Sequence, residues 1–83
     1  MYKIEFSSTA QKQFDKLDSM IQGRIINVLE RMRIRPHNYV KKLVGTKYFR
    51  ARVGKYRIIL DIQNDMLMIY VIELGLRKNI YKI

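Results

Sequence analysis

Tyr48-Phe49-Arg50-Ala51-Arg52-Val53-Gly54-Lys55-Tyr56-Arg57-Ile58-Ile59-Leu60-Asp61-Ile62 is the stretch that decides the fold. Two runs rich in aromatic and β-branched residues flank Gly54-Lys55, and a two-residue loop with glycine first is hairpin chemistry. Tyr48 to Val53 and Tyr56 to Ile62 are therefore expected to be antiparallel strands. Side chains alternate across a strand. Phe49, Ala51 and Val53 then share one face with Tyr56, Ile58, Leu60 and Ile62. Tyr48, Arg50 and Arg52 share the other with Arg57, Ile59 and Asp61. This loop sets Val53 opposite Tyr56 and Arg52 opposite Arg57. Two arginines directly opposed on one face repel each other and weaken a sheet. Their presence points to an anion that normally lies between the guanidinium groups. The competing reading is that solvent screens the pair and each stem covers apolar surface.

On the C-terminal side, Gln63-Asn64-Asp65 supplies a polar turn, and Met66 to Leu74 reads as a third strand. On the N-terminal side, residues 36–46 read as a loop. Pro36 disfavours helical geometry in the residue before it, so a preceding helix must end near Arg35. That helix starts at Ser19-Met20-Ile21-Gln22, which has the capping-box spacing. It sets Ile21, Ile25, Val28, Leu29 and Met32 on one face, and Gly23 within it costs about 1 kcal/mol relative to alanine. An earlier helix opens at Ser8-Thr9-Ala10-Gln11, with Ser8 as N-cap and Gln11 reaching back, and runs to about Leu17. Ala10, Phe14 and Leu17 form its apolar face. Tyr2 to Phe6 alternates and is rich in β-formers, so it reads as a short strand.

The expected architecture is α+β: an N-terminal strand, a two-helix antiparallel hairpin, then a three-stranded antiparallel sheet joined by the N-terminal strand, in one domain over 1–83. The helices would cover one face of the sheet and leave the other to solvent or ligand.

Charge narrows the ligand. Seventeen Lys and Arg face seven Asp and Glu, for a net charge of +10. The excess is local: residues 31–60 hold ten basic groups and no acid, whereas residues 1–30 balance. Such a field attracts phosphate polyanions. The basic residues fall on expected strands rather than on an amphipathic helix, which favours nucleic acid over a membrane surface. There is no cysteine, so disulfides and zinc–thiolate sites are excluded. The N-terminus lacks the pattern of a signal peptide, and Met66 to Ile72 is too short to span a bilayer as a helix. A cytoplasmic location is expected.

Other chemistries find little support. His37 is the single histidine, which leaves no His-pair ribonuclease mechanism. The carboxylates show no metal-ligand spacing, so neither a metal nor a cofactor is expected. Arginine, lysine and tyrosine are left. Arginine gives bidentate donors to phosphate and stays protonated, so it stabilises charge and serves poorly as a base. Tyr81, among Arg77, Lys78 and Lys82, either exchanges a proton or anchors the tail on the sheet.

The segments Lys-Leu-Val-Gly (42–45), Tyr-Phe-Arg-Ala-Arg-Val-Gly-Lys-Tyr-Arg-Ile-Ile (48–59) and Tyr-Val-Ile-Glu-Leu-Gly-Leu-Arg-Lys-Asn-Ile-Tyr (70–81) resemble the RelE/ParE toxin superfamily. The likeness covers nearly the whole chain, including Ser8 to Leu17. It implies a toxin of a toxin–antitoxin pair, held in a hetero-oligomer by a cognate, usually acidic antitoxin that wraps it. For RelE-like members it implies metal-independent cleavage of messenger RNA in the ribosomal A site. There the 2′-hydroxyl attacks the adjacent phosphate and translation stops. The positions that match are Arg50, Arg52, Arg57, Arg77 and Tyr81. By this resemblance Arg57 and Arg77 clamp the scissile phosphate. Arg50 and Arg52 bind RNA and offset charge on the attacking oxygen, and Tyr81 stacks on a base or transfers a proton. Lys41, Lys42, Lys47, Lys55 and Lys78 are expected to contact RNA. Relatives often carry lysine at the positions of Arg50 and Arg52, and arginine is a weak replacement for a lysine base. Two other readings stay open: a ParE-like gyrase inhibitor without nuclease chemistry, and an inactive homologue that binds only RNA or antitoxin.

Overall fold

The computed structural model describes residues 1–76, so Arg77, Lys78 and Tyr81 lie outside the described residues. In chain order the elements are β1 (Lys3–Phe6), α1 (Ser8–Asp15), α2 (Ser19–Met32), a 3-10 turn (Pro36–Asn38), β2 (Lys41–Lys42), β3 (Phe49–Val53), β4 (Tyr56–Gln63) and β5 (Met68–Leu76). The strands form one sheet in the order β1-β5-β4-β3-β2. No helix among the described residues is long and apolar enough to cross a membrane.

The expected hairpin is present in its expected register, with Val53 opposite Tyr56 and Arg52 opposite Arg57. Gly54 takes φ +59, a left-handed value that suits glycine at the first loop position. The sheet differs from the expectation in two ways. It is mixed, because β1 pairs in parallel with β5, Ile4 beside Ile69 and Phe6 beside Val71. It also has a fifth strand within the expected loop: β2 pairs antiparallel with β3, Lys41 opposite Arg50 and Lys42 opposite Phe49. A two-residue strand at an edge carries too little periodicity to be read from sequence, and its lysines discourage further pairing at that edge.

The core lies between the helices and one face of the sheet. Ala10 of α1 and Ile25, Leu29 and Met32 of α2 pack with Ala51, Val53, Ile58, Leu60, Ile69, Val71 and Leu74. Phe6 and Phe14 meet edge to face at 5.4 Å and tie β1 to α1. The buried residues follow the helical period on α2 and the two-residue period on β3, as apolar burial requires.

The strand period breaks once. Ile59 pairs with Glu73 and Leu60 with Val71, so Ile72 is an extra residue on β5. This bulge moves the inward positions from Ile69 and Val71 to Leu74. Ser7 secures it: its hydroxyl donates to the Ile72 carbonyl at 2.7 Å, and its backbone N–H donates to the Val71 carbonyl at 2.9 Å. On the far side, the Leu74 N–H donates to Gln13 Oε1 of α1 at 2.8 Å.

Both helix starts are capped one residue earlier than the capping-box spacing implies. Ser7, not Ser8, caps α1 by accepting from the Ala10 N–H at 3.0 Å, and Gln11 donates to Asp15 rather than reaching back. Asp18, not Ser19, caps α2 by accepting from the Ile21 N–H at 3.0 Å. A carboxylate is favoured at that helix end by the helix dipole. Gln22 Nε2 donates to the Phe14 carbonyl at 2.9 Å and joins the helices across the break. Helix α2 stops at Met32 with Arg33 as C-cap, ahead of the expected Arg35. Ser7→Ala removes an N-cap and the donor to the bulge together. It is expected to cost about 1–2 kcal/mol, seen as a lower denaturant midpoint at unchanged slope.

Candidate nucleic-acid interface

The face of the sheet turned away from the helices collects charge by strand alternation. Arg57, Ile59 and Asp61 of β4 point to it, as do Arg50 and Arg52 of β3. Lys41 of β2 joins them, because it pairs with Arg50. On β5 the residues opposite are Gly75 beside Arg57, Glu73 beside Ile59 and Tyr70 beside Asp61. Basic groups therefore occupy β2, β3 and the start of β4, and acidic groups lie toward β5 and β1. Asp61 and Glu73 sit within strands rather than in turns.

A groove of about 290 Å³ opens on the basic half of this face. It is lined by Tyr39, Lys41, Arg50, Ala51, Arg52 and Arg57. Three of the five expected catalytic positions thus meet in one depression, with one of the expected RNA-binding lysines. The backbone arranges this simply: two residues of β3 spaced by two, one residue directly across on β4, and one across on β2. Arg50 and Arg57 are half-buried, and Arg52 is exposed. Ile59 is 1% exposed although it lies on this face, outside the helix-side core. Its neighbours in the ladder are Arg50 and Glu73, with Arg57 and Asp61 two residues away along β4. Long side chains that cover an isoleucine with their stems hold their charged ends outward.

The other expected residues among those described lie elsewhere. Lys42 points to the opposite face of β2, with Nζ 4.8 Å from the Phe49 ring centroid. Lys47 precedes β3, with Nζ 5.6 Å from the Tyr48 ring. Lys55 is exposed in the β3–β4 turn. Tyr39 is the residue that sequence reasoning missed. It ends the 3-10 turn and reaches the groove because β2 docks on β3, a pairing with no periodic signal. His37, expected to be an exposed bystander, is exposed but engaged. It shares a hydrogen bond of 3.1 Å with Asn64, which also accepts from the Tyr2 hydroxyl, and its ring meets Phe49 edge to face at 5.3 Å. It holds the 3-10 turn to the β4–β5 turn. Among the described residues no group of three or more His, Cys, Asp or Glu side chains is placed to hold a metal ion.

The arrangement can bind an anion with several donors that share one groove, and arginine is suited to bidentate contact with phosphate oxygens. The direct Arg52–Arg57 opposition gives a separate expectation. Arg52→Gln should raise stability in low salt by about 0.2–1 kcal/mol while weakening RNA binding. Thermal melts at low and high salt check it, since the gain should shrink as salt screens the pair.

The helix-backed mixed sheet matches the fold of RelE-like structures. A chain in the RelBE2 toxin–antitoxin complex of Mycobacterium tuberculosis matches it with a TM-score of 0.84 at 23% identity, covering 92% of this chain and 98% of that one. The RelB–RelE antitoxin–toxin complex of Methanococcus jannaschii matches with a TM-score of 0.72 at 28% identity, covering 93% and 94%. A RelE-like toxin protein of Escherichia coli is 29% identical over 80 residues, covering 93% of this chain and 84% of that one. The family model for the ParE toxin of type II toxin–antitoxin systems (parDE) matches residues 4–81. The chain belongs to this family and is a RelE/ParE-type toxin.

Proposed function

We propose that this toxin is a ribosome-dependent, metal-independent endoribonuclease that cuts messenger RNA in the A site and so inhibits translation. The observation that carries the reading is the convergence of Arg50, Arg52, Arg57 and Lys41 on one open groove. In the reaction the 2′-oxygen bonds to the adjacent phosphorus and the bond from phosphorus to the 5′-oxygen breaks. A 2′,3′-cyclic phosphate and a 5′-hydroxyl result. The 2′-hydroxyl loses a proton and the leaving oxygen gains one.

Arg57, with Arg77, holds the non-bridging oxygens as charge builds on them, the type of stabilisation that contributes most in such steps. Arg50 and Arg52 bind the strand and offset charge on the attacking oxygen. Tyr81 stacks on a base or transfers a proton. Within the described lining of the groove, Tyr39 and Lys41 are the side chains whose type exchanges protons readily. Lys42, Lys47, Lys55 and Lys78 add attraction for RNA around the groove. The toxin acts in the cytoplasm and is held inactive by an acidic cognate antitoxin in a hetero-oligomer. That partner reading is supported by the related chains seen within toxin–antitoxin complexes.

A second reading has an observation of its own: the matching family model describes ParE toxins. A ParE-like inhibitor of DNA gyrase would share the fold, and fold does not fix function. Induced expression separates the two. A nuclease halts protein synthesis within minutes while purified gyrase still supercoils DNA in the presence of the toxin. Loss of supercoiling with translation intact would overturn the nuclease reading.

A further inference from the structure

A second basic groove, of about 310 Å³, lies between α2 and the end of the β3–β4 hairpin. Arg24, Asn27, Arg31, Arg52 and Gly54 are in its lining. Arg52 borders this groove and the sheet-face groove alike, so the two meet at one guanidinium-bearing residue. Among the described residues neither lining contains a carboxylate. Among the described residues the ion pair is Arg33 with Glu30, and Arg24, Arg31 and Arg52 form none.

The second groove is built rather than incidental. Arg24 lies over Gly54: a Cβ added there would sit 3.2 Å from Arg24 Nη2 and 3.4 Å from Nη1. The bare backbone of Gly54 gives the guanidinium its seat, while φ +59 at the same residue makes the turn. Arg31 follows Arg24 by two helical turns, about 10 Å along the axis. Asn27, one turn from Arg24, adds an amide donor. Donors repeated along a ridge suit a strand of repeating phosphates.

We propose that the RNA strand held in the sheet-face groove continues past Arg52 onto Arg24 and Arg31 of α2. This inference rests on the RNA-cleaving reading and extends its substrate contact beyond the cleaved site. An acidic peptide is the competing occupant. The groove offers it little apolar anchorage, since the apolar side chains among its described lining are Val28 and the buried Val53.

The test measures binding of the full chain to labelled oligouridylates of about 6 and about 18 nucleotides, lengths that bracket a single-strand site. Wild type is compared with the double variants Arg24→Gln/Arg31→Gln and Arg24→Lys/Arg31→Lys. Both positions are exposed, and the lysine pair keeps charge if the glutamine pair loses helix stability. The glutamine pair is expected to bind the long strand roughly tenfold more weakly, with a salt slope shallower by about 1.4 for two lost contacts. Its binding of the short strand should change less than about twofold, and the lysine pair should keep the wild-type salt slope. Equal loss on both lengths, or none on either, overturns the extension and leaves the sheet-face groove standing. The same holds if the variants lose affinity for an acidic antitoxin peptide yet bind both RNAs as wild type does. Failure of wild type to bind either free strand overturns the extension alone, and the RNA-cleaving reading falls with it only if wild type also fails to cut message on ribosomes.

Discussion

Arg57→Ala is expected to slow message cleavage by about 10²–10³-fold while leaving the protein folded. Arg57 stands in β4 directly across from Arg52, with Gly75 beside it on β5. Its backbone is thus held by partners on both sides, and its guanidinium belongs to the groove that would receive the phosphate. Removing one donor to a developing oxyanion costs rate because that charge peaks in the transition state. The loss should appear in the single-turnover rate at saturating ribosomes, with a smaller change in message affinity. Arg57→Lys should recover only part, because an ammonium cannot reproduce the bidentate fork. A folded Arg57→Ala protein that cuts at the wild-type rate would remove Arg57 from the reaction.

The largest effect on stability is expected at Leu60. It is fully buried in the middle of the sheet, with Phe49 across on β3 and Val71 across on β5, next to the bulge. Leu60→Ala should cost about 2–5 kcal/mol, with the spread set by how far the site relaxes. A chain of this length holds on the order of 4–12 kcal/mol in total. The variant should therefore melt at a much lower temperature or be largely unfolded at 37 °C. Urea unfolding followed by circular dichroism measures it. A loss under about 1 kcal/mol would show that the core described around Leu60 does not carry the fold.

The hairpin was legible because two independent signals agree on it. Glycine chemistry at Gly54 set the loop, and the alternation of Arg50, Ala51, Arg52 and Val53 set the faces, so the Arg52–Arg57 pair followed. The inward face of α2 was legible for the same reason, through Ile25, Leu29 and Met32. What escaped is what alternation does not encode. Tyr2 to Phe6 reads as a strand, but nothing in it says that it runs parallel to β5. Lys41-Lys42 is too short to read, and Tyr39 and Lys41 reach the groove only through that short pairing. The bulge at Ile72 depends on Ser7, 65 residues away in sequence. The caps lie one residue earlier because the Ser7 hydroxyl and the Asp18 carboxylate reach the Ala10 and Ile21 N–H groups. Of the candidate site, Arg50, Arg52, Arg57 and Lys41 come together in the groove. Lys42, Lys47 and Lys55 carry only a charge signal in the sequence, and charge does not specify a face.

The central claim is that this toxin cuts RNA through the 2′-hydroxyl of the message. The most direct measurement is primer extension on a defined message in ribosomes purified with the toxin. A second message carries one 2′-deoxynucleotide at the site of the strongest cut. Wild type is expected to cut the first message, to leave a 2′,3′-cyclic phosphate, and to leave the deoxy site intact. Cleavage that persists at the deoxy site, or a folded wild-type protein that cuts neither message, would contradict it.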